Sequence, residues 1–337
     1  MLFLSILLCT ILLLPILNSF IERQLEFFLF CCSILAIIGT NQFSIPLLRH
    51  AIVAPISITI AVFIASLLFL YYESPFRKLI IFGYQRTPKR LFLALIPLLL
   101  GLLSSLITAI IATLLLITIT RAVGLQGKDQ VRFVIMNCFA IGVGAALTPI
   151  GEPLSTIVTN QLQASPTFLF QLLAPIILPL LGAFSIVTFF IVTPRPFSRN
   201  MVQTRSYDTM HTIIVRTVKI YLFVFALTLL GISFQPLIEQ YIIPLNLESI
   251  YWMNMLSAIL DNATLAAAEM SPQLSEEAIR TILIGLLISG GMLIPGNIPN
   301  IIAAKQLNIT SAQWARFGIP IGLLFMLIYY LFVLHFN

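Results

Sequence analysis

Ten apolar runs of membrane-spanning length or more follow one another along this chain, near 1–20, 25–40, 51–72, 91–120, 133–163, 167–193, 213–235, 249–270, 278–307 and 317–336. A helix needs about 20 such residues to cross the hydrocarbon core of a bilayer. Water is not a solvent for a chain of this kind. Charged residues make up 9% of 337 and hydrophobic ones 59%, against roughly 25% charged in soluble proteins. The expected class is an all-α polytopic protein embedded in lipid. Met1–Phe20 has no basic leading region and no small-residue cleavage site, so it reads as a first membrane helix. Cys9, Cys31, Cys32 and Cys138 all fall in apolar stretches without metal-ligand spacing, and read as small buried hydrophobes.

Loop charges orient the runs. The segment Glu73–Arg90 carries Arg77, Lys78, Arg86, Lys89 and Arg90, and Pro194–Arg216 carries Arg195, Arg199, Arg205 and Arg216. Both are expected as cytoplasmic loops. The net charge of +6 is this asymmetry and not a nucleic-acid patch. Gln235–Pro272 holds no Lys or Arg but carries Glu239 and Glu248, so it is expected outside. Three runs lie between the two basic loops, and an odd number of crossings cannot return the chain to the same side. The conflict disappears if 91–120 is a re-entrant hairpin that enters and leaves from the cytoplasm.

The same logic makes 249–270 a hairpin entering from outside. Each half then reads helix, re-entrant hairpin, broken helix, helix, with opposite orientation. The expected divisions are N-terminal scaffold helices at 1–50, a first repeat at 51–193, a cytoplasmic linker at 194–212 and a second repeat at 213–337. The broken helices are 133–163 and 278–307, each interrupted by Gly and Pro. Between the halves, Gly151 matches Gly296, Glu152 matches Asn297 and Ser155 matches Asn300, while Ser104–Ala109 resembles Ser257–Asn262. Inverted repeats with paired helix breaks are the plan of secondary transporters, and the breaks point to the binding site.

Irregular backbone at membrane depth is tolerated only where protein or a cavity surrounds it. Proline removes a donor and glycine permits unusual dihedrals, so carbonyls and half-helix ends are freed in Thr148–Pro153 and Pro295–Pro299. Glu152 lies inside the first break and Asp261 in the second hairpin; an ionisable group there is a functional candidate by default. Neither has a Lys or Arg beside it in sequence, with Lys305 only at its helix end. Two such carboxylates attract a cation and make proton binding accessible. Asn137, Thr148, Gly151, Ser155, Asn262, Thr264, Asn297, Asn300 and Thr108 complete the candidate set, with Na⁺ expected at Glu152, Asp261 and Asn297. Glu269, beyond Asp261, is expected near the hairpin's exit, and His211 as a solvated loop residue. No P-loop, H-E-x-x-H or G-x-S-x-G pattern occurs, so neither enzyme chemistry nor a bound cofactor is expected.

Three of these stretches carry a family resemblance. Gly144-Ala145-Ala146-Leu147-Thr148-Pro149-Ile150-Gly151-Glu152 resembles the G-G-A-x-[ST]-P-I-G-D stretch of NhaD-type sodium/proton antiporters. Ser257–Ala267 resembles their S-A-x-x-D-N-x-P-L-x-A-A hairpin, and Gly290–Ile294 their G-G-S-x-L-I segment. These carriers belong to the ion transporter superfamily, and the whole chain most resembles its branch of predicted cation transporters. The resemblance implies a homodimer built of scaffold and elevator parts, multi-pass in a bacterial or archaeal plasma membrane, with the site between hairpin tips and broken helices. It places Glu152 where the family has aspartate, and Asp261-Asn262 on the family's Asp-Asn. Two departures stand out: Thr108-Ala109 replaces the first hairpin's Asp-Asn, and Ala263-Thr264 replaces x-Pro.

The function expected is therefore a Na⁺/proton antiporter working by alternating access, with the bilayer, Na⁺ and H⁺ as its partners and no nucleic acid. The alternatives are a Na⁺-coupled symporter of an organic or inorganic anion such as a dicarboxylate, and a non-transporting membrane scaffold.

Overall fold

Apolar runs without a polar face leave the backbone only one way to satisfy its donors and acceptors in lipid, which is to coil on itself. The computed structural model describes residues 2–18, 20–21, 24–194, 210–241, 246–255, 262–270 and 274–336, and among them there is no strand. The first half runs α1 (Leu2–Leu17), α2 (Leu25–Thr40), α3 (Ile45–Arg86), α4 (Lys89–Ile107), α5 (Ala109–Val123), α6 (Gly127–Ala145), α7 (Pro153–Gln161) and α8 (Phe168–Ile191). The second runs α9 (Met210–Tyr241), α10 (Leu247–Met253), α11 (Asn262–Glu269), α12 (Glu276–Gly290), a 3₁₀ turn (Ile294–Gly296), α13 (Ile298–Leu307) and α14 (Ser311–Phe336).

Among the described residues, four stretches are long and apolar enough to cross a membrane: Lys89–Ile107, Phe168–Ile191, Ile213–Phe234 and Ser311–Phe332. Their outer faces are apolar as well, with Phe190 76% and Phe332 57% exposed. Large exposed apolar surface of this kind belongs against lipid. The chain is an all-α membrane protein.

Capping residues start the helices where the sequence turns polar. Ser44 accepts from Leu47 N at the head of α3, Asn246 from Ser249 N at α10, and Ser275 from Ala278 N at α12. One expected loop is mostly helix. The basic stretch from Glu73 to Arg86 is the end of α3, whose 42 residues give a contour of about 63 Å at 1.5 Å per residue. Hydrocarbon is only about 30 Å thick. Lys and Arg are good helix formers, so a basic run marks a membrane side without ending a helix. For the same reason His211 and Arg216 lie within α9 and not in a loop, although His211 is exposed. Arg195, Arg199 and Arg205 lie outside the described residues. Cys9 and Cys31 are exposed and only Cys32 and Cys138 are buried, because the apolar helices of α1 and α2 present one face outward.

Specific contacts set the directions of the helices. Along α4 and α6, Ser104 Oγ donates to Ile141 O, 3.0 Å away, and Thr148 Oγ1 donates to Ser105 O just beyond α6. The two helices therefore run parallel. Arg121, at the end of α5, donates to Gln306 O at 3.0 Å, and Gln130, near the start of α6, donates to Leu307 O at 2.9 Å. The chain thus goes up α4, turns at Thr108 and comes back down α5, as a hairpin. At the same end, Arg132 donates to Ile191 O and Asp129 accepts from Thr193 N. The start of α6 and the ends of α5, α8 and α13 therefore share one face.

In the second half Tyr251 packs on Gly285, and Ser289 Oγ donates to Asn254 O at 2.6 Å. So α10 runs parallel to α12, as α4 does to α6. Tyr251 and Tyr330 tie α10 to α14 by bonds to Met326 O and Glu248.

Candidate functional site

A Cβ on Gly151 would lie 2.0 Å from Ala145 O, so only glycine lets the chain fold back over the end of α6. Gly151 O in turn accepts from Ala109 N at 2.9 Å. Together with the bond from Thr148 to Ser105 O, this fastens the first break to the tip of the first hairpin. At that tip Thr108 has φ 75° and ψ 150°, a region that is essentially reserved for glycine. Its Oγ1 accepts from Ile111 N at 3.5 Å, too long to compensate for that strain.

Glu152 follows directly. It is buried, and its carbonyl accepts the first helical bond of α7 from Thr156 N. Ser155 is fully buried on the first turn of α7, and its Oγ has no hydrogen-bond partner among the described residues.

The second break is fastened by side chains. Asn297 holds the N-cap position of α13 yet makes no capping bond. Its amide lies instead against α6, where a Cβ on Gly142 would come within 2.6 Å of Nδ2. Asn300, also fully buried, donates from Nδ2 to Gly290 O and to Leu293 O, both at 2.8 Å. Asn262 begins α11 and rests on Gly290, where a Cβ would meet its Nδ2 at 2.8 Å. Among the described residues, the Oδ1 atoms of both Asn262 and Asn300 are buried without a partner. Asn137, on α6, donates to Phe133 O, and its Oδ1 is likewise without a partner.

Two groups of candidates therefore assemble, with α6 between them. Thr108, Thr148 and Gly151 meet at the first break, with Glu152 next in the chain. Asn262 and Asn300 meet on Gly290, and Asn297 reaches across to Gly142. Glu152 and Asn297 both stand immediately before the short helix that follows their break, and Ser155 and Asn300 are both its third residue. Asp261 lies outside the described residues, and Thr264 lies in α11. Among the described residues no three of His, Cys, Asp and Glu converge. The oxygens on offer around the breaks are mostly those of amides, hydroxyls and backbone carbonyls.

The structure gives contacts to residues that the sequence did not place in the candidate site. Gly142 and Gly290 are the seats of the two asparagine side chains, and their signal was the small residue itself within an apolar helix. Asn254 and Ser289 link α10 to α12; each is a polar residue in an apolar run. Lys305 pairs with the buried Glu26 at 2.9 Å and so joins α13 to α2.

The model of one protein family, described as protein of unknown function (DUF1646), matches residues 1–336. No curated protein matches the chain.

Proposed function

The chain belongs to the DUF1646 family, whose description carries no activity, and from the site itself we propose a secondary active transporter that exchanges Na⁺ for protons by alternating access. The observation that carries this reading is a surplus of acceptors. Among the described residues, Asn137 Oδ1, Asn262 Oδ1 and Asn300 Oδ1 are buried around the two breaks and accept no hydrogen bond, Ser155 Oγ is buried there without a partner, and Glu152 is buried at the first break. Buried polar atoms normally find partners, and amide oxygens left without a donor are completed by a cation. Hard oxygens suit Na⁺, and a carboxylate that trades Na⁺ for H⁺ couples the two ions. Glu152 takes that role, with Asp261 as the second carboxylate.

In this reading the two halves are inverted repeats, and their hairpins enter from opposite sides of the bilayer. The parallel pairs α4/α6 and α10/α12 support that symmetry, as do the matched places of Glu152 and Asn297. A homodimer in the membrane, like the resemblance to NhaD-type antiporters and their superfamily, belongs to the same proposal. The test is a reconstituted vesicle holding a preset pH gradient. Adding Na⁺ or Li⁺ should collapse the gradient, and Glu152→Gln should abolish the collapse while leaving the protein folded. No cation-dependent collapse in the wild type, or full activity in Glu152→Gln, ends the proposal.

One feature favours a second reading. The N-terminus of α13 is left uncapped by Asn297, and open helix N-termini bind anions. A Na⁺-coupled symporter of a dicarboxylate would use it. Na⁺-dependent uptake of labelled dicarboxylate, without proton exchange, would select that reading.

A further inference from the structure

One face of α13 changes character along its length. Ile298, Ile301, Ile302 and Lys305 stand at i, i+3, i+4 and i+7, so they form a single stripe. It is apolar beside the second break and ends on a cation at the face that the ends of α5, α8 and α13 share. Helix α9 repeats the pattern, with Lys219 followed one turn on by Phe223 and Val224. Those three residues and the three isoleucines line one cleft, together with Glu26 from the first turn of α2.

The cleft is charged at its mouth and apolar behind it. At the mouth Lys305 Nζ lies 2.9 Å from Glu26 Oε1. Seven residues back along α13, or about 10 Å at 1.5 Å per residue, Ile298 directly follows Asn297 of the second break. The cleft therefore leads from the basic face to that break. Phe223, Ile301 and Ile302 of its walls are buried, and Ile302 is backed by Ile110, Leu114 and Ile117 of α5.

The helices around the cleft belong to different packings. Helix α13 packs on α5 and α6, whereas α2 packs on α9. Across the cleft they meet through apolar walls and the Glu26–Lys305 pair. Lys305 stays partly in water, so that pair is weak and parts readily. A narrow apolar passage stops ions by staying dry. With the pair shut, Lys219 beside it adds a second positive charge at the mouth, which repels a cation.

We propose that this cleft is the route by which an ion reaches the second break from the basic face, and that Glu26 and Lys305 form the gate at its mouth. As a route for a transported ion it rests on the antiport reading above. Opening parts the pair, moves α13 away from α2 and α9, and lets water in among the isoleucines.

The experiment is thiol labelling of full-length Ile301→Cys protein in vesicles. A membrane-impermeant cationic methanethiosulfonate is added to one side at a time, and the peptide carrying residue 301 is read by mass spectrometry, which leaves the native cysteines in place. Labelling should come from the basic side alone. Adding Lys305→Met or Glu26→Gln should each speed it roughly two- to fivefold, the change in open population that follows from losing a pair worth up to about 1 kcal/mol. These two variants change the charge of the mouth in opposite directions. A rise in both is therefore the opening of a gate, whereas opposite responses, or none, overturn the gate. Labelling from the other side alone, or from neither side in any variant, overturns the route. If Glu26→Gln does not fold, Lys305→Met probed with an anionic reagent decides: losing a lysine should slow that reagent unless the gate has opened, so a slower rate overturns the gate. Cation-driven collapse of a pH gradient in the same vesicles separates the two proposals. Gated labelling with no such collapse in the wild type keeps the cleft as a gated passage and removes the antiport reading. Collapse with Ile301→Cys never labelled from the basic side keeps antiport and removes the route.

Discussion

The two helix breaks occupy matching places in their halves and are held by different means. The first, residues 146–152, is closed by backbone: Gly151 is pressed on Ala145 O, and Ala109 N bonds Gly151 O. The second, residues 291–297, is closed by amide side chains, with Asn300 holding Gly290 O and Leu293 O while Asn297 leans on Gly142. The contrast teaches that matched breaks need not share their chemistry. A break closed by glycine contacts offers few side-chain oxygens of its own, so its carboxylate, Glu152, stands out. A break clamped by asparagines keeps spare acceptors such as Asn300 Oδ1.

The largest effect should come from filling the glycine clamp. Gly151→Ala forces the backbone off Ala145 O, and Gly144→Ala would place a Cβ 2.0 Å from Gly101 O. Each should cost about 3 kcal/mol or more, as overpacking against backbone does. At Gly182 an added Cβ would meet nothing within 4 Å, so Gly182→Ala should stay within about 0.5 kcal/mol of wild type. Thermal unfolding in detergent compares the three, and equal losses would erase the distinction between a clamped and an open glycine.

Next comes the asparagine clamp. Asn300→Ala leaves the Gly290 and Leu293 carbonyls without their donor, at about 2 kcal/mol by the usual cost of buried unsatisfied groups. It should also abolish any Na⁺-dependent rise in melting temperature, whereas Gly182→Ala should keep it. Thr108→Gly should act in the opposite direction. Relieving a β-branched residue from φ 75° should stabilise by about 1 kcal/mol. A loss there would mean that the Thr108 hydroxyl matters more at the hairpin tip than its strain.

The smallest effect should be that of Lys305→Met. The lysine is 41% exposed although its partner Glu26 is 7% exposed, so solvent screens the pair, and a loss below about 1 kcal/mol is expected. A much larger loss would show that α2 and α13 are held together chiefly by this ion pair.

Much of this was legible beforehand, for definite reasons. Proline and glycine act within a few residues of themselves, so both breaks were readable from Pro149, Gly151, Pro153, Pro295, Gly296 and Pro299. Charge parity pointed to a hairpin within 91–120 without locating its turn, which in the structure is at Thr108, between α4 and α5. The reach of α3 was not legible, because the signs that mark a membrane side say nothing about where a helix ends. Nor was the enclosure of the Glu269 carboxyl oxygens, because spacing within α11 does not report which other helices cover it.

By itself the sequence determined the solvent, the helical class and the places where helices must break, since these follow from side-chain polarity and from the local geometry of proline and glycine. Only the tertiary structure decided what closes each break. Whether a glycine meets a carbonyl or an asparagine depends on which helix lies opposite. The seats of Asn297 on Gly142 and of Asn262 on Gly290 exist only once separate helices are brought within contact distance.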